Sequence, residues 1–316
     1  LYGNPFTQSA SRGNPDLKEE RKKEYEYGLD LRLLDNAITL NATYYENETS
    51  DGIIALPIPG SSGFTTSLVN ASTISNKGWE VDLTARLYRS QNFGVSVNAN
   101  FTRNRNLVVN LEGSAYSILS GFTSTSSGIA EGYPFGVLRS GVYERDANGD
   151  YVTNSLGFPN ADPEKLVGAG DPNADYRAGF GINVYYKNLS LTSVIETSQG
   201  NDVWNGTYGV LHYFGIHPNT ANKTVNDTGS TINNAAGTEI QPGETFRGNL
   251  EDFGAGPVAI DSEWWTTNGG GFGDVGEPFI MDGSWLKMRE VSLTYNFTQP
   301  FVCLLYTSPS PRDVEE

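Results

Sequence analysis

The chain has 316 residues and is strongly acidic, with 37 Asp and Glu against 21 Lys and Arg and a formal net charge of -16. A groove for nucleic acid needs clustered basic side chains, so this balance excludes that class of partner. The single cysteine, Cys303, allows no internal disulfide, and two histidines are too few for most zinc sites. The many glycines and aromatic residues instead suit strands joined by turns and long loops.

The stretch from Tyr25 to Leu33 alternates strictly, with every second residue apolar or aromatic and Glu26, Asp30 and Arg32 among the residues between them. Alternation with period two places one face of a strand in an apolar medium and the other in water. A slip of one residue would exchange the two faces, so the register is well specified. The same pattern predicts strands near residues 23–33, 37–47, 78–88, 93–103, 175–186, 189–198 and 285–297.

The lengths of these segments and of their connections predict the fold. Each segment has about the 9–11 residues that a membrane-spanning strand needs, whereas no window approaches the ~18 apolar residues of a membrane helix. Short turns after residues 33, 88, 186 and 297 alternate with long loops at 48–77, 104–174 and 199–284. Tight periplasmic turns and long extracellular loops are typical of outer-membrane barrels. We therefore expect an all-β chain that is part of a large antiparallel transmembrane β-barrel in a bacterial outer membrane.

Aromatic residues near the predicted strand ends agree with that topology, because amphipathic rings concentrate at the two lipid–water boundaries. The predicted extracellular ends carry Tyr25, Tyr44, Trp79, Phe101, Tyr176 and Trp285. The predicted periplasmic ends carry Leu33, Tyr88, Phe93, Tyr186, Tyr295 and Phe297.

The last predicted strand, 285–297, alternates less regularly. Val291, Leu293 and Tyr295 form one face, yet Lys287 and Arg289 occupy the same parity. Charged residues on an apolar face predict either a β-bulge or a wet strand end at this point.

Two other classes of protein share part of this pattern. A secreted carbohydrate-binding β-sandwich also has strands with one apolar and one polar face, but its strands are usually shorter, about 5–6 residues, and its loops rarely reach this length. A passive porin or an adhesin-like barrel would have the same strands without a plug or a lid. Both stay open as alternatives.

The acidic segment Asp146, Asn148 and Asp150 has the one, three, five oxygen spacing that opens a calcium loop. The sixth position is Tyr151 instead of Gly, and the twelfth is Gly157 instead of a bidentate Glu. Asn148-Gly149 between two short apolar pairs is a signal for a hairpin. The pattern therefore favours a turn over a calcium site, and we expect no metal and no cofactor.

Several motifs resemble the SusC/RagA type of TonB-dependent transporters. Matching elements lie, in the order that family has them, at residues 14–18 (NPDLK), 24–30 (EYEYGLD), 70–80 (NASTISNKGWE), 170–176 (GDPNADY) and 285–293 (WLKMREVSL). None is specific alone, but their common order over most of the chain makes chance similarity improbable.

The resemblance implies a barrel of about twenty-two strands with a plugged lumen. It implies active import of oligosaccharides or peptides together with a SusD-like surface lipoprotein that closes over the extracellular mouth. Energy would come from the TonB complex through a plug that lies upstream of Leu1. We accordingly expect residues 1–302 to be part of a TonB-dependent receptor barrel that is cut at both ends, in contact with outer-membrane lipid.

The final segment, 303–316, departs from the family. Its sequence resembles translated sequencing-adapter DNA, so we expect a non-native tail that also explains Cys303.

Aromatic residues in the predicted loop 199–284 are the candidate ligand-binding residues: Trp204, Tyr208, His212, Tyr213, Trp264 and Trp265. Sugar rings stack on exposed aromatic faces, and binding residues concentrate on loops carried by a rigid scaffold. Contact with the lipoprotein lid and simple loop packing are the alternatives. The chain has no G-x-S-x-G elbow and no P-loop, and no spacing isolates a carboxylate pair, so we expect no enzymatic activity.

Overall fold

The computed structural model describes residues 9–297, so the predicted tail 303–316 lies outside the described residues. In chain order the strands are β1 (Ser11–Arg12), β2 (Arg21–Leu33), β3 (Ile38–Pro57), β4 (Thr66–Arg89), β5 (Phe93–Leu111), β6 (Ser117–Phe122), β7 (Thr125–Ile129), β8 (Val137–Ser140), β9 (Leu166–Gly170), β10 (Tyr176–Tyr186), β11 (Leu189–Gln199), β12 (Asp202–Trp204), β13 (Lys223–Val225), β14 (Ile232–Asn233), β15 (Glu239–Ile240), β16 (Thr245–Arg247), β17 (Asn249–Asp252), β18 (Pro257–Ile260), β19 (Ile280–Asp282) and β20 (Trp285–Tyr295). The helices are α1 (Gly206–Tyr213) and α2 (Ser262–Trp265), with 3₁₀ turns at Gly60–Ser62, Pro218–Thr220 and Glu277–Phe279.

Within residues 9–297, none of the helices has the length and apolar character needed to cross a membrane.

One antiparallel sheet forms the framework, in the order β2-β3-β4-β5-β10-β11-β20, and we call these seven strands the barrel wall. All neighbours in this sheet pair in chain order. Long insertions in the chain separate β5 from its partner β10 and β11 from its partner β20. The short strand β1 pairs in parallel with Thr66 and Ser67 at the start of β4. The pairing of β4 with β5 begins only at Ser72. The predicted all-β antiparallel architecture is confirmed.

The register aligns the predicted apolar stripes into one continuous face. Leu31 pairs with Leu40, Leu40 with Leu83, and Leu83 with Ala99. Residues that face each other across antiparallel strands lie on the same side of the sheet. The pairs Phe180 with Ile195 and Leu191 with Leu293 continue this apolar face to the last strand, and in the described chain no second sheet covers it. A β-sandwich is therefore excluded.

The irregular last strand contains a β-bulge at Arg289. Val194 pairs with Glu290 and Ile195 with Met288, so Arg289 is the extra residue. This extra residue switches the parity and brings Leu286 and Met288 onto the apolar face, while Lys287 pairs with Glu196 on the polar face. The predicted bulge is confirmed, and it keeps both cations out of the apolar medium.

Trp285 was predicted to belong to the aromatic residues at the extracellular lipid–water boundary, but it lies on the polar face of the wall. Its register partner is Ser198, and its ring lies 4.8 Å from Lys287 Nζ and 5.1 Å from Arg289 Cζ, on the polar face. The bulge between Trp285 and Val291 reverses the face that a simple count along the strand assigns. Other predicted boundary aromatics meet across neighbouring strands: the ring centroids of Tyr44 and Trp79 lie 4.9 Å apart, and those of Phe101 and Tyr176 lie 5.8 Å apart.

The predicted long loop 48–77 is wrong. β3 and β4 are 20 and 24 residues long and continue far past the predicted ends, joined by the 3₁₀ turn at Gly60–Ser62. β5 likewise runs to Leu111. Beyond the membrane both faces are in water, so the alternation disappears from the sequence although the backbone ladder continues.

The turns at the opposite end of the wall are short, as predicted. Leu34, Asp35 and Asn36 all adopt positive φ between β2 and β3, and Lys187 does so between β10 and β11. β4 and β5 are joined by residues 90–92. The long insertions 112–175 and 200–284 therefore both leave the wall at its other end, and we call them the loop layer.

Candidate functional site

The loop layer is a folded unit with its own hydrophobic core. The buried residues of this core are Tyr143, Phe158, Val258, Trp264, Trp265 and Val275, which come from both insertions. The Trp264 ring lies 5.1 Å from the Phe158 ring and 6.1 Å from the Tyr143 ring. Burial raises the pKa of the Tyr143 hydroxyl, which donates a hydrogen bond to the Asn268 carbonyl at 2.9 Å.

Glu277 joins the two insertions through polar contacts. Its carboxylate accepts hydrogen bonds from the Tyr143 backbone N–H at 3.0 Å and from Arg145 Nη2 at 2.5 Å. Beside it, the N–H of Gly276 donates to the Gly141 carbonyl at 3.0 Å. These contacts hold the insertions together, so the layer can present side chains in fixed positions.

Trp264 and Trp265, two of the predicted ligand-binding residues, lie inside this core. Their side chains are 7% and 3% exposed. A buried indole has no free face on which a sugar ring could stack. Their burial favours the loop-packing alternative for these two residues.

The other four predicted residues lie on or beside α1. Asn205 caps this helix by accepting a hydrogen bond from the Tyr208 N–H at 3.0 Å. The Tyr208 ring lies 4.3 Å from His212 and 4.7 Å from His217, and the two imidazoles stack at 4.3 Å. Burial lowers the pKa of His212, opposed by its hydrogen bond with the Tyr208 carbonyl.

Trp204 and Tyr213 are partly buried and belong to an aromatic cluster that includes three phenylalanines. We call Phe122, Trp204, Tyr213, Phe214 and Phe272 the aromatic patch. Phe122 lies 5.7 Å from Trp204 and 5.6 Å from Phe272, which lies 5.0 Å from Tyr213. The three phenylalanines are exposed. The sequence did not single out these phenylalanines, and Phe122 in particular is far from the other members along the chain.

A cavity of about 700 Å³ lies where the extended strands β3, β4 and β5 meet β6. Thr49, Ile74, Asn76 and Asn106 line it, and their register places them on the polar face of the wall. Sequence reasoning missed this cavity because its walls come from strand extensions that the hydrophobic pattern does not reveal. The apolar lining residues Ile53, Ile54, Ile118 and Leu119 fall in segments predicted as loops.

The calcium-loop candidate folds as a tight turn. Asp146 Oδ1 accepts hydrogen bonds from the backbone N–H of Asn148 at 2.8 Å and of Asp150 at 3.0 Å, while Gly149 adopts a φ of 90°. These bonds from Asn148 and Asp150 lower the pKa of Asp146. In a second turn, Asn154 Oδ1 accepts the corresponding hydrogen bonds from the backbone N–H of Leu156 at 2.9 Å and of Phe158 at 3.1 Å, and Gly157 also has a φ of 90°. The amide oxygen of Asn154 therefore accepts in the second turn the hydrogen bonds that the carboxylate of Asp146 accepts in the first.

Within residues 9–297, no group of three or more His, Cys, Asp or Glu side chains is arranged to hold a metal ion.

Comparison with known proteins identifies the family to which the barrel wall belongs. Residues 1–214 match the model of a family described as TonB dependent receptor-like, beta-barrel. The chain belongs to this TonB-dependent receptor family. Its members are outer-membrane β-barrels, so the apolar face of the wall contacts lipid and the polar face lines the lumen.

Individual TonB-dependent receptors resemble the chain over most of its length. It is 26% identical to TonB-dependent receptor P3 of Formosa agariphila, covering 92% of this chain and 28% of that protein. It is 24% identical to TonB-dependent receptor SusC of Bacteroides thetaiotaomicron, covering 90% of this chain and 27% of that protein. The chain thus spans less than a third of these relatives.

A solved structure supports the fold. The structure of the RagAB peptide transporter matches with a TM-score of 0.62 at 20% identity, over 92% of this chain and 31% of that one. This likeness supports the fold of the chain. The predicted resemblance to TonB-dependent transporters of the SusC/RagA type is confirmed.

Proposed function

We propose that this chain is part of the barrel of a TonB-dependent importer that carries oligosaccharides or peptides across the outer membrane. The importer works with a SusD-like lipoprotein at its extracellular mouth and draws energy from the TonB complex through a plug. It transports its ligand without catalysing a reaction. The relatives called TonB-dependent receptors, SusC and the RagAB peptide transporter support this proposal.

The observation that carries the proposal is the loop layer. A passive pore needs only an open lumen, whereas this layer is a folded structure with a core of its own and cross-links between its two insertions. Such a structure suits the capture of a ligand, because binding residues act best when a rigid scaffold holds them.

Within this layer, the contact residues for ligand or lid are Trp204, Tyr208, His212 and Tyr213. Trp204 and Tyr213 lie in the aromatic patch, whose exposed phenylalanines offer free ring faces. Exposed apolar patches rimmed by polar residues are typical of binding surfaces. Trp264 and Trp265 pack in the core of the layer that carries these residues.

The test uses the full-length transporter in its own bacterium, with an affinity tag. We expect inactivation of TonB to abolish growth on the nutrient that requires this transporter, and a surface lipoprotein to copurify with the tagged protein. Replacing Trp204 and Tyr213 by Ala should reduce copurification or uptake, whereas Tyr133→Ala, at an exposed tyrosine outside the patch, should leave both unchanged. Uptake that persists without TonB would instead identify a passive porin.

A further inference from the structure

The strand β6 has an unpaired edge beside the lumenal cavity. It is the first strand of a small sheet in the order β6-β7-β8-β9, and in the described chain no strand pairs with its other side. Five of its six residues are exposed, including Ile118, Leu119 and Phe122. An edge strand presents unpaired N–H and C=O groups and is a template for another strand.

The cavity next to this edge has an aliphatic part beside the polar residues Thr49, Asn76 and Asn106. The wall contributes Ile53, Ile54 and Ile74, and β6 contributes Ile118 and Leu119. Among the lining residues only Phe135 is aromatic, so stacking of pyranose rings on ring faces has little to act on here. The aliphatic part of the lining is instead suited to burying an aliphatic group.

Charge further limits the ligand. The Glu20 carboxylate lines the cavity and accepts a hydrogen bond from the Ile53 N–H at 2.7 Å. The chain as a whole has a net charge of -16. An acidic ligand would meet repulsion at this position, whereas a neutral or basic one would not.

We propose that β6 and this cavity bind a neutral or basic peptide in extended conformation, which adds a strand to the β6 edge and places an aliphatic side chain in the cavity. Strand addition gives affinity through main-chain hydrogen bonds, and an adjacent pocket gives selectivity for a side chain. The proposal rests on the importer function and narrows its ligand to peptides, because an oligosaccharide cannot continue a β-ladder.

The experiment measures binding to the purified full-length transporter by fluorescence anisotropy. The probe is a labelled pentapeptide of Val, Leu and Lys with an amidated carboxyl end. Its analogue, methylated on every backbone nitrogen of the peptide bonds, keeps the side chains but cannot donate main-chain hydrogen bonds to β6 from either edge. Losing about two main-chain hydrogen bonds should weaken binding roughly tenfold. Maltopentaose, an oligosaccharide of the same number of units, should not compete.

Variants test the same contact from the side of the protein. Ile118→Asn should weaken peptide binding by a similar factor, and it should fold because Ile118 is 62% exposed. Leu166→Asn is the matched control, since Leu166 is 50% exposed on β9 at the other end of the same sheet and does not line the cavity. Equal binding of the methylated and unmethylated peptides would overturn the proposal, as would competition by maltopentaose or unchanged binding to the Ile118 variant. TonB-dependent uptake of a sugar, with no peptide binding, would overturn this inference and leave the importer function intact.

Discussion

The barrel wall and the loop layer use apolar residues in opposite ways. In the wall, Leu29, Leu286 and Leu293 are exposed on a face that no other part of the described chain covers. In the loop layer, Phe158 and Trp264 are buried against each other. The wall is stabilised by its ladder and by lipid, whereas the loop layer is stabilised by burial from water, as in any globular domain.

The difference has consequences for the effect of mutations. A polar residue on the apolar face of the wall is unfavourable because lipid surrounds it, although the position is exposed. A polar residue at an equally exposed position of the loop layer meets only water. Exposure alone therefore does not predict tolerance, and the medium at each position decides.

The largest expected effect is in the loop core. Trp264→Ala removes a buried indole and should destabilise the loop layer by about 3–5 kcal/mol. Phe214→Ala is the control, because Phe214 is 61% exposed and should cost less than about 1 kcal/mol. Hydrogen exchange of residues 143–161 and 257–265 in the full-length transporter measures both. Unchanged protection in the Trp264 variant would show that the core contributes little.

The next effect concerns the lipid face. Leu83 pairs with Leu40 and Ala99 near the middle of the wall, so Leu83→Arg should cost about 2–4 kcal/mol in a bilayer. Thr84→Arg, the matched control one residue along, places the same charge on the lumenal face and should cost much less. Urea unfolding in lipid vesicles compares the two variants. Equal losses would contradict the assignment of the two faces.

The smallest effect is a pH dependence in one turn of the loop layer. Hydrogen bonds lower the pKa of Asp146 in the folded chain, so the stabilisation is present above its usual value near 3.8 and is lost as the pH falls through the lowered value. Exchange protection of the Asn148 and Asp150 amides, corrected for intrinsic rates, should fall in that acidic range. The Asn154 turn should not change, and Asp146→Asn should remove the dependence. Parallel behaviour of both turns would refute a local cause.

The predicted bounds of the strands agree with the structure in four cases. Four predicted strands lie within two residues of the observed Arg21–Leu33, Tyr176–Tyr186, Leu189–Gln199 and Trp285–Tyr295. These segments are short and end near the membrane boundary, so lipid on one face imposes alternation over their whole length. β3, β4 and β5 were predicted too short, because their outer parts have water on both faces and carry no such pattern.

The candidate site was harder to predict, because burial in the loop layer depends on contacts between distant segments. Local signals singled out Tyr208 and His212 as candidates within a predicted loop, and they identified the turn at Asp146. They did not predict the helix α1 on which the two residues lie. They could not distinguish Trp264, which is buried, from Trp204, which lies in the aromatic patch, because both are tryptophans in a Gly-rich loop. Phe122 and Ile118 were not considered, since their partners lie far away along the chain.

The sequence by itself determined the direction of the turns, the family and, for the membrane strands other than β20, which face meets lipid. The faces follow from local alternation with period two, which the bilayer enforces residue by residue. The turns follow from the lengths of the connections, and the family from motifs in its characteristic order. Only the tertiary structure decided the parity switch at Arg289, the core around Trp264 and the cavity beside β6. Each of these depends on which distant segments meet, and side-chain packing between distant segments leaves no periodic signal in the chain.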